Sequence, residues 1–232
     1  MADKGKLVGV SVGPGDPDLM TIAAVKAIEA ADVIATPNIG HKRQTALGIA
    51  AEYVSNKELL DCSTPMVNNR EERRAAYDDS ARKICEVLDS GRNVAYLCLG
   101  DIAIYASYAP VHERVLAAGY EASIIPGVTS FSATAARLGQ VLCEGKERLL
   151  IAPVMGGDMD EILDTKANKV LMKSRHEIVE LRDKLEARGE LEHASMVANC
   201  GLPDEKVFYD LSEITEDDSD YFSVVIVKEP KE

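Results

Sequence analysis

Apolar residues along this chain keep two different spacings, and the two alternate. Short runs in which nearly every residue is apolar, many of them β-branched, read as strands buried on both faces. Stretches with apolar residues three or four positions apart read as helices with one buried side. Such alternation marks the strand-helix-strand units that build a parallel sheet. The first run, residues 7–12, enters a Gly/Pro turn; a helix is expected over 19–31 and a strand over 33–35. A helix over 72–90 places Tyr77, Ala81, Ile84, Cys85 and Leu88 on one face, with Gly91 where a C-terminal cap belongs. A strand over 94–99, a helix over 109–118, a strand over 123–125 and a turn at Pro126 and Gly127 follow.

The second half has a different texture. Strand-like runs at 149–152, 170–172, 195–198 and 207–209 surround a helix over 177–188 that Gly189 ends. The final run, 221–228, is apolar almost throughout, which predicts a central place in its sheet. The fold class is therefore α/β, with two domains expected at 1–124 and 125–232. The acidic Glu216-Asp217-Asp218 reads as a solvated turn.

Composition narrows the function classes. A chain of 232 residues with 46% hydrophobic and 28% charged side chains can bury a core in one large or two small domains. No stretch has the run of about 18 uncharged apolar residues that a membrane span needs, and the opening residues lack the apolar segment of a signal peptide. A cytoplasmic protein without a membrane partner is expected. The five cysteines (Cys62, Cys85, Cys98, Cys143, Cys200) are odd in number and scattered, with no C-x-x-C pair, so they read as reduced core thiols rather than a disulfide framework or a metal site. A net charge of −13 repels phosphate backbones and argues against a nucleic-acid partner.

Three loops carry candidate chemistry. In Val12-Gly13-Pro14-Gly15-Asp16-Pro17, between the first strand and first helix, Asp16 suits an N-cap and Pro17 the first helical position. Capping does not require both glycines, so the loop is also a candidate for close approach of backbone to a ligand. It is neither a phosphate loop, since no Gly-Lys-Ser/Thr follows, nor the spaced glycine pattern of dinucleotide folds. Leu99-Gly100-Asp101-Ile102-Ala103-Ile104-Tyr105 leaves the carboxyl end of a strand, the edge where open α/β sheets hold ligands. In Ile125-Pro126-Gly127-Val128-Thr129-Ser130-Phe131, Thr129 or Ser130 is also a candidate cap for a helix running to Arg137.

In combination these loops resemble those of the tetrapyrrole (corrin/porphyrin) methylase family, with its GPGD-type loop, its GD loop after a strand and its PG-[IV]-[TS]-[AS] turn. Gly13 to Thr21, Pro126 to Phe131 continuing through Ala135-Ala136-Arg137-Leu138-Gly139, Asn199 to Lys206, and Tyr221-Phe222-Ser223 are most like the members that methylate C20 of precorrin-2. The likeness covers nearly the whole chain. It departs where the family has proline after Gly-Asp and this chain has Ile102, and in Val154-Met155-Gly156-Gly157-Asp158. The resemblance implies two α/β domains with the cofactor, S-adenosyl-L-methionine, in a cleft between them, a tetrapyrrole small-molecule substrate on the corrinoid pathway, and a homodimer. By position it implies cofactor contacts from Pro14, Leu99, Gly100, Asp101, Ile104, Thr129, Ser130, Met172, Ala198, and Cys200 or Gly201, mostly through backbone groups, with Asp101 supplying negative charge.

No catalytic residue is identified by the sequence. Tyr105, Tyr108 and His112 follow the second loop and are candidates for removing a proton after methyl transfer. His41, His176 and His193 lack metal-ligand spacing and read as surface residues. Arg43, Arg70 and Arg137 are candidate partners for substrate carboxylates. Family members that act at another corrin ring position, on uroporphyrinogen III or on a diphthamide precursor, a protein that binds the cofactor without catalysis, and an unrelated nucleotide-dependent enzyme of the doubly wound class are the competing readings.

Overall fold

The computed structural model describes residues 4–37, 45–62, 69–175, 177–218 and 220–230. The chain forms two compact units, Met1–Thr129 and Ser130–Glu232.

The first unit is a five-stranded parallel sheet with helices on both faces. Its elements are β1 (Leu7–Ser11), α1 (Ile22–Ala30), β2 (Val33–Thr36), α2 (Thr45–Ile49), α3 (Ala51–Val54), β3 (Glu58–Asp61), α4 (Arg70–Asp89), β4 (Val94–Cys98), α5 (Ala109–Ala117) and β5 (Ala122–Ile125). The strand order is β3-β2-β4-β1-β5, every pair parallel. In central β4, Val94, Ala95, Tyr96 and Leu97 are fully buried, as expected of a parallel strand covered on both sides. One face packs on α4 and α5 through Leu7, Ala81, Ile84, Leu88, Val111 and Val115. The other packs Val10 and Val12 against Ala24 and Ile28 of α1. The helix expected over 19–31 is instead two elements. Asp16 caps a single 3-10 turn, Pro17–Leu19, by accepting from the Asp18 N–H at 2.9 Å, and Thr21 caps α1 by accepting from Ala24 at 3.1 Å. Two capping side chains five positions apart restart the helix.

The second unit holds α6 (Ser130–Leu138), β6 (Leu149–Pro153), α7 (Met159–Asp164), β7 (Asn168–Met172), α8 (Ile178–Ala187), β8 (Ala194–Ala198), β9 (Lys206–Phe208) and β10 (Ser223–Val227). Its sheet is mixed, in the order β6-β7-β10-β8-β9. β6 and β7 are parallel, and β10 runs antiparallel to both neighbours. All five β10 residues are buried, the central position its apolar run predicts. The short α7 is capped by Asp158, whose carboxylate accepts from Asp160 and Glu161.

Candidate functional site

In the first unit the three loops noted in the sequence meet at the carboxyl ends of β1, β4 and β5, and hydrogen bonds tie them into one structure. Gly13 and Gly100 exchange backbone hydrogen bonds, the Gly100 N–H donating to the Gly13 carbonyl at 2.7 Å and Gly13 donating back at 3.3 Å. Both are left-handed, with φ of 78° and 71°, a conformation in which glycine carries no steric penalty. Ser11, fully buried at the end of β1, donates through Oγ to the Ile125 carbonyl at 2.8 Å and accepts from the Ile102 N–H at 2.9 Å. One hydroxyl thus joins all three loops. Asp101 adds a second tie, its Oδ1 accepting from the Ala103 N–H at 2.9 Å and its Oδ2 from the Gly127 N–H at 2.8 Å. Gly127 has no room for a side chain, since a Cβ there would lie 2.5 Å from that of Ser11 and 3.1 Å from the Gly100 oxygen.

This geometry gives Ile102 a purpose. A proline at that position has no N–H to donate to Ser11, so the departure from the family pattern is an added hydrogen bond. The Asp101 carboxylate is 8% exposed and both oxygens already hold loop amides, which makes it a brace for the backbone around it. Pro14 is buried beside Gly13, while Leu99 and Ile104 are half-buried, with the Ile104 N–H closing a turn onto the Asp101 carbonyl at 3.2 Å. Thr129 and Ser130 are half-buried at the start of α6. Ser11 was not singled out in the sequence, although a lone hydroxyl in an otherwise apolar strand was a legible signal.

In the second unit the candidates lie at one edge of the mixed sheet. Met172 ends β7 opposite Val224, and Ala198 ends β8 opposite Ser223, so they flank the start of β10. Beyond Ala198 the chain turns through left-handed Asn199 (φ 54°) and Gly201 (φ 76°). Asn199 donates through Nδ2 to Asp220 at 2.9 Å, and the exposed Gly201 donates its N–H to Glu205 Oε2 at 2.9 Å. Glu205 also receives Arg137 Nε at 2.6 Å. Burial pushes the Glu205 carboxyl up, but the Gly201 N–H and the Arg137 guanidinium outweigh it and hold the group below the usual glutamate range. Burial, with the Glu205 charge, pushes the Cys200 thiol up, so it stays protonated.

Other side chains considered for chemistry are engaged elsewhere. Tyr108 is 1% exposed, packs on the Tyr96 ring at 5.0 Å between centroids, and places its hydroxyl 3.0 Å from His112 Nδ1. It fills the space over Gly9, where a Cβ would lie 2.5 Å from its ring, and burial pushes its phenol well up. Tyr108 is thus a core residue. Tyr105 is 44% exposed at φ 51°. Arg137 is paired with Glu205, and exposed Arg70 opens α4. His193 is half-buried beside Glu192. His41, Arg43 and His176 lie outside the described residues.

The profile of the Tetrapyrrole (Corrin/Porphyrin) Methylases matches residues 6–215. The chain belongs to that family. Among curated relatives, it is 32% identical to a precorrin-2 C(20)-methyltransferase of Sinorhizobium sp., covering 96% of this chain and 95% of that one. It is 29% identical to a cobalt-precorrin-2 C(20)-methyltransferase of Salmonella typhimurium, covering 96% of each. Against the cobalamin biosynthesis protein CobIJ of Mycobacterium tuberculosis it is 32% identical, and it spans 46%, about half, of that protein's length. Among solved structures, a cobalt precorrin-4 methyltransferase superposes with a TM-score of 0.75 over 96% of this chain and 94% of that one, at 19% identity, which shows a common fold.

Proposed function

We propose that this protein methylates C20 of precorrin-2, metal-free or cobalt-bound, in corrinoid biosynthesis, with S-adenosyl-L-methionine as methyl donor. The observation that carries this reading is the end-to-end match to two relatives named for that reaction. The loop structure fits the donor. Its polar groups at the strand ends are mostly backbone amides and carbonyls held in place by Ser11 and Asp101, and left-handed Gly13 and Gly100 allow close approach. Pro14, Leu99, Gly100, Asp101, Ile104, Thr129 and Ser130 are the proposed contacts from these loops. Met172, Ala198, and Cys200 or Gly201 are those from the mixed sheet's edge.

The donor supplies a sulfonium with its own leaving group, and C20 of a reduced tetrapyrrole is electron-rich. The protein's share of the work is then placement, where proximity alone is worth roughly 7–11 kcal/mol. A prebuilt, hydrogen-bonded loop structure suits that task, because little ordering remains to be done on binding. Homodimerisation and a cytoplasmic location belong to the same reading. Sedimentation tests the first and fractionation of the source cells the second.

The decisive assay incubates the protein with labelled S-adenosylmethionine and precorrin-2 in metal-free and cobalt-loaded forms, and places the new methyl by NMR. Incorporation at C20 is expected. Methylation at another carbon overturns the C20 assignment, and binding of the donor without turnover of either form overturns the enzymatic reading.

A further inference from the structure

The loop joining β8 to β9 carries Cys200 and Gly201. The two strands pair antiparallel up to Ala198 and Lys206, so residues 199–205 make the turn, long enough to be open to several conformations. Two backbone bonds run inside it, from the Leu202 N–H to the Asn199 carbonyl at 2.9 Å and from the Glu205 N–H to the Leu202 carbonyl at 3.0 Å. Asn199 Nδ2 ties its start to Asp220. Glu205 ties its end in two directions: Oε2 accepts from the Gly201 N–H at 2.9 Å, and Oε1 accepts from Arg137 Nε at 2.6 Å. Arg137 stands in the last turn of α6, a helix that packs against β8 and β10. One carboxylate therefore fastens the loop to a helix seated on the same sheet. Stability does not account for this arrangement. Gly201 is exposed, so water can satisfy its N–H, and the Arg137 and Glu205 side chains are 50% and 20% exposed, where an ion pair adds little to folding. What the carboxylate fixes is the conformation of the turn.

We propose that Glu205, anchored by Arg137, is a positioning residue for the methyl donor: it holds the turn through Cys200 and Gly201 in place and so sets the affinity for S-adenosyl-L-methionine. The inference rests on the reading above, which puts Cys200 or Gly201 against the donor. The chemistry of the two partners selects a carboxylate. Both the Gly201 N–H and Arg137 Nε are hydrogen-bond donors, so the group between them must accept twice. A carboxylate has two accepting oxygens, whereas a glutamine amide has one and would turn its NH2 against one of these N–H groups. Arg137 then serves as the anchor of this brace rather than as a partner for a substrate carboxylate.

The test compares wild type with Glu205→Gln, Arg137→Gln and the double variant. The amide nitrogen of a glutamine sits one bond beyond Cδ, as Arg137 Nε does, so Arg137→Gln keeps a bond to Glu205. In the double variant the two amides can pair and leave the carbonyl at position 205 for the Gly201 N–H. S-adenosylhomocysteine binding is followed by calorimetry, thermal unfolding by circular dichroism, and methylation of precorrin-2 by kinetics. Glu205→Gln should melt within about 3 °C of wild type and yet bind S-adenosylhomocysteine about tenfold more weakly. Its KM for S-adenosylmethionine should rise in step, with kcat and the KM for precorrin-2 unchanged. Arg137→Gln and the double variant should bind within about threefold of wild type. Unchanged affinity in Glu205→Gln overturns the proposal, and so does a double variant as weak as Glu205→Gln, which would make the loss a general disturbance of the loop. A wild type that binds S-adenosylhomocysteine, with this loss and this rescue, but methylates neither form of precorrin-2 upholds the brace and removes the C20 reading. A wild type that does not bind S-adenosylhomocysteine overturns both.

Discussion

The two units offer their candidate residues in different ways. In the first, loops from β1, β4 and β5 are laced together by Ser11, Asp101 and the Gly13–Gly100 exchange, so each contact is part of the packing. In the second, Met172 and Ala198 end strands whose pairing with β10 would hold without any ligand. A parallel sheet leaves the carboxyl ends of neighbouring strands together and their loops free to interlock. A mixed sheet places a strand's amino end between two carboxyl ends, and here Lys173 and Asn199 turn away on either side of β10. Mutations at the residues that lace the first unit's loops should therefore disturb stability and donor binding together, and mutations elsewhere should separate them.

The sharpest test of this coupling is Gly127→Val. The new side chain collides with Ser11 and disturbs the Gly127 N–H bond to Asp101. A loss of about 3 kcal/mol or more is expected, with S-adenosylhomocysteine binding abolished; a variant that melts like wild type and binds normally would break the comparison. Next is Ser11→Ala, which leaves the Ile102 N–H and the Ile125 carbonyl without their shared partner for about 1–3 kcal/mol, read by denaturant unfolding. Asp16→Ala should remove only the cap of the Pro17–Leu19 turn, about 1 kcal/mol, with donor affinity intact by calorimetry.

Smallest of all is Glu205→Gln in the second unit. The Glu205 carboxyl is held below its ordinary value of 4.5 in the folded chain, so its stabilisation is present above that pH and is lost as pH falls through the lower folded value. Wild type should melt slightly above Glu205→Gln at pH 7, and the gap should close on acidification below 4.5. A gap that grows in acid would mean that the Arg137 pairing is not its source.

The same contrast governs what the sequence disclosed. Buried strands and long helices were legible because their apolar spacing is strong: α4 buries Ala81, Ile84 and Leu88, with Tyr77 and Cys85 packed half-buried against the same core. β3 went unseen because as an edge strand it leaves Glu58, Leu59 and Asp61 exposed and shows no alternation. α2, α3 and α7 are too short to establish a period, although Asp158 was a capping signal for the last. The strand expected over 207–209 lies one residue earlier, at Lys206–Phe208, leaving Tyr209 outside and 64% exposed. In the first unit the glycine loops could be read from residue types, because close approach and left-handed backbone select glycine. In the second unit Met172 and Ala198 are ordinary strand residues, and only the likeness to a family pointed to them.

The place of β10 bears on how the protein is made. In the first unit β4 joins β1 to β2 and emerges after both, with β5 added to the other edge of β1 later still. β10 likewise joins β7 to β8 and emerges after both. During translation the inner edges of β7 and β8 therefore stand open, with apolar Val170, Leu171, Met196 and Val197 uncovered by their eventual partner. The second unit passes through a nascent stage exposed to strand capture by other chains, and a chaperone that holds newly made chains would act there, before β10 leaves the ribosome.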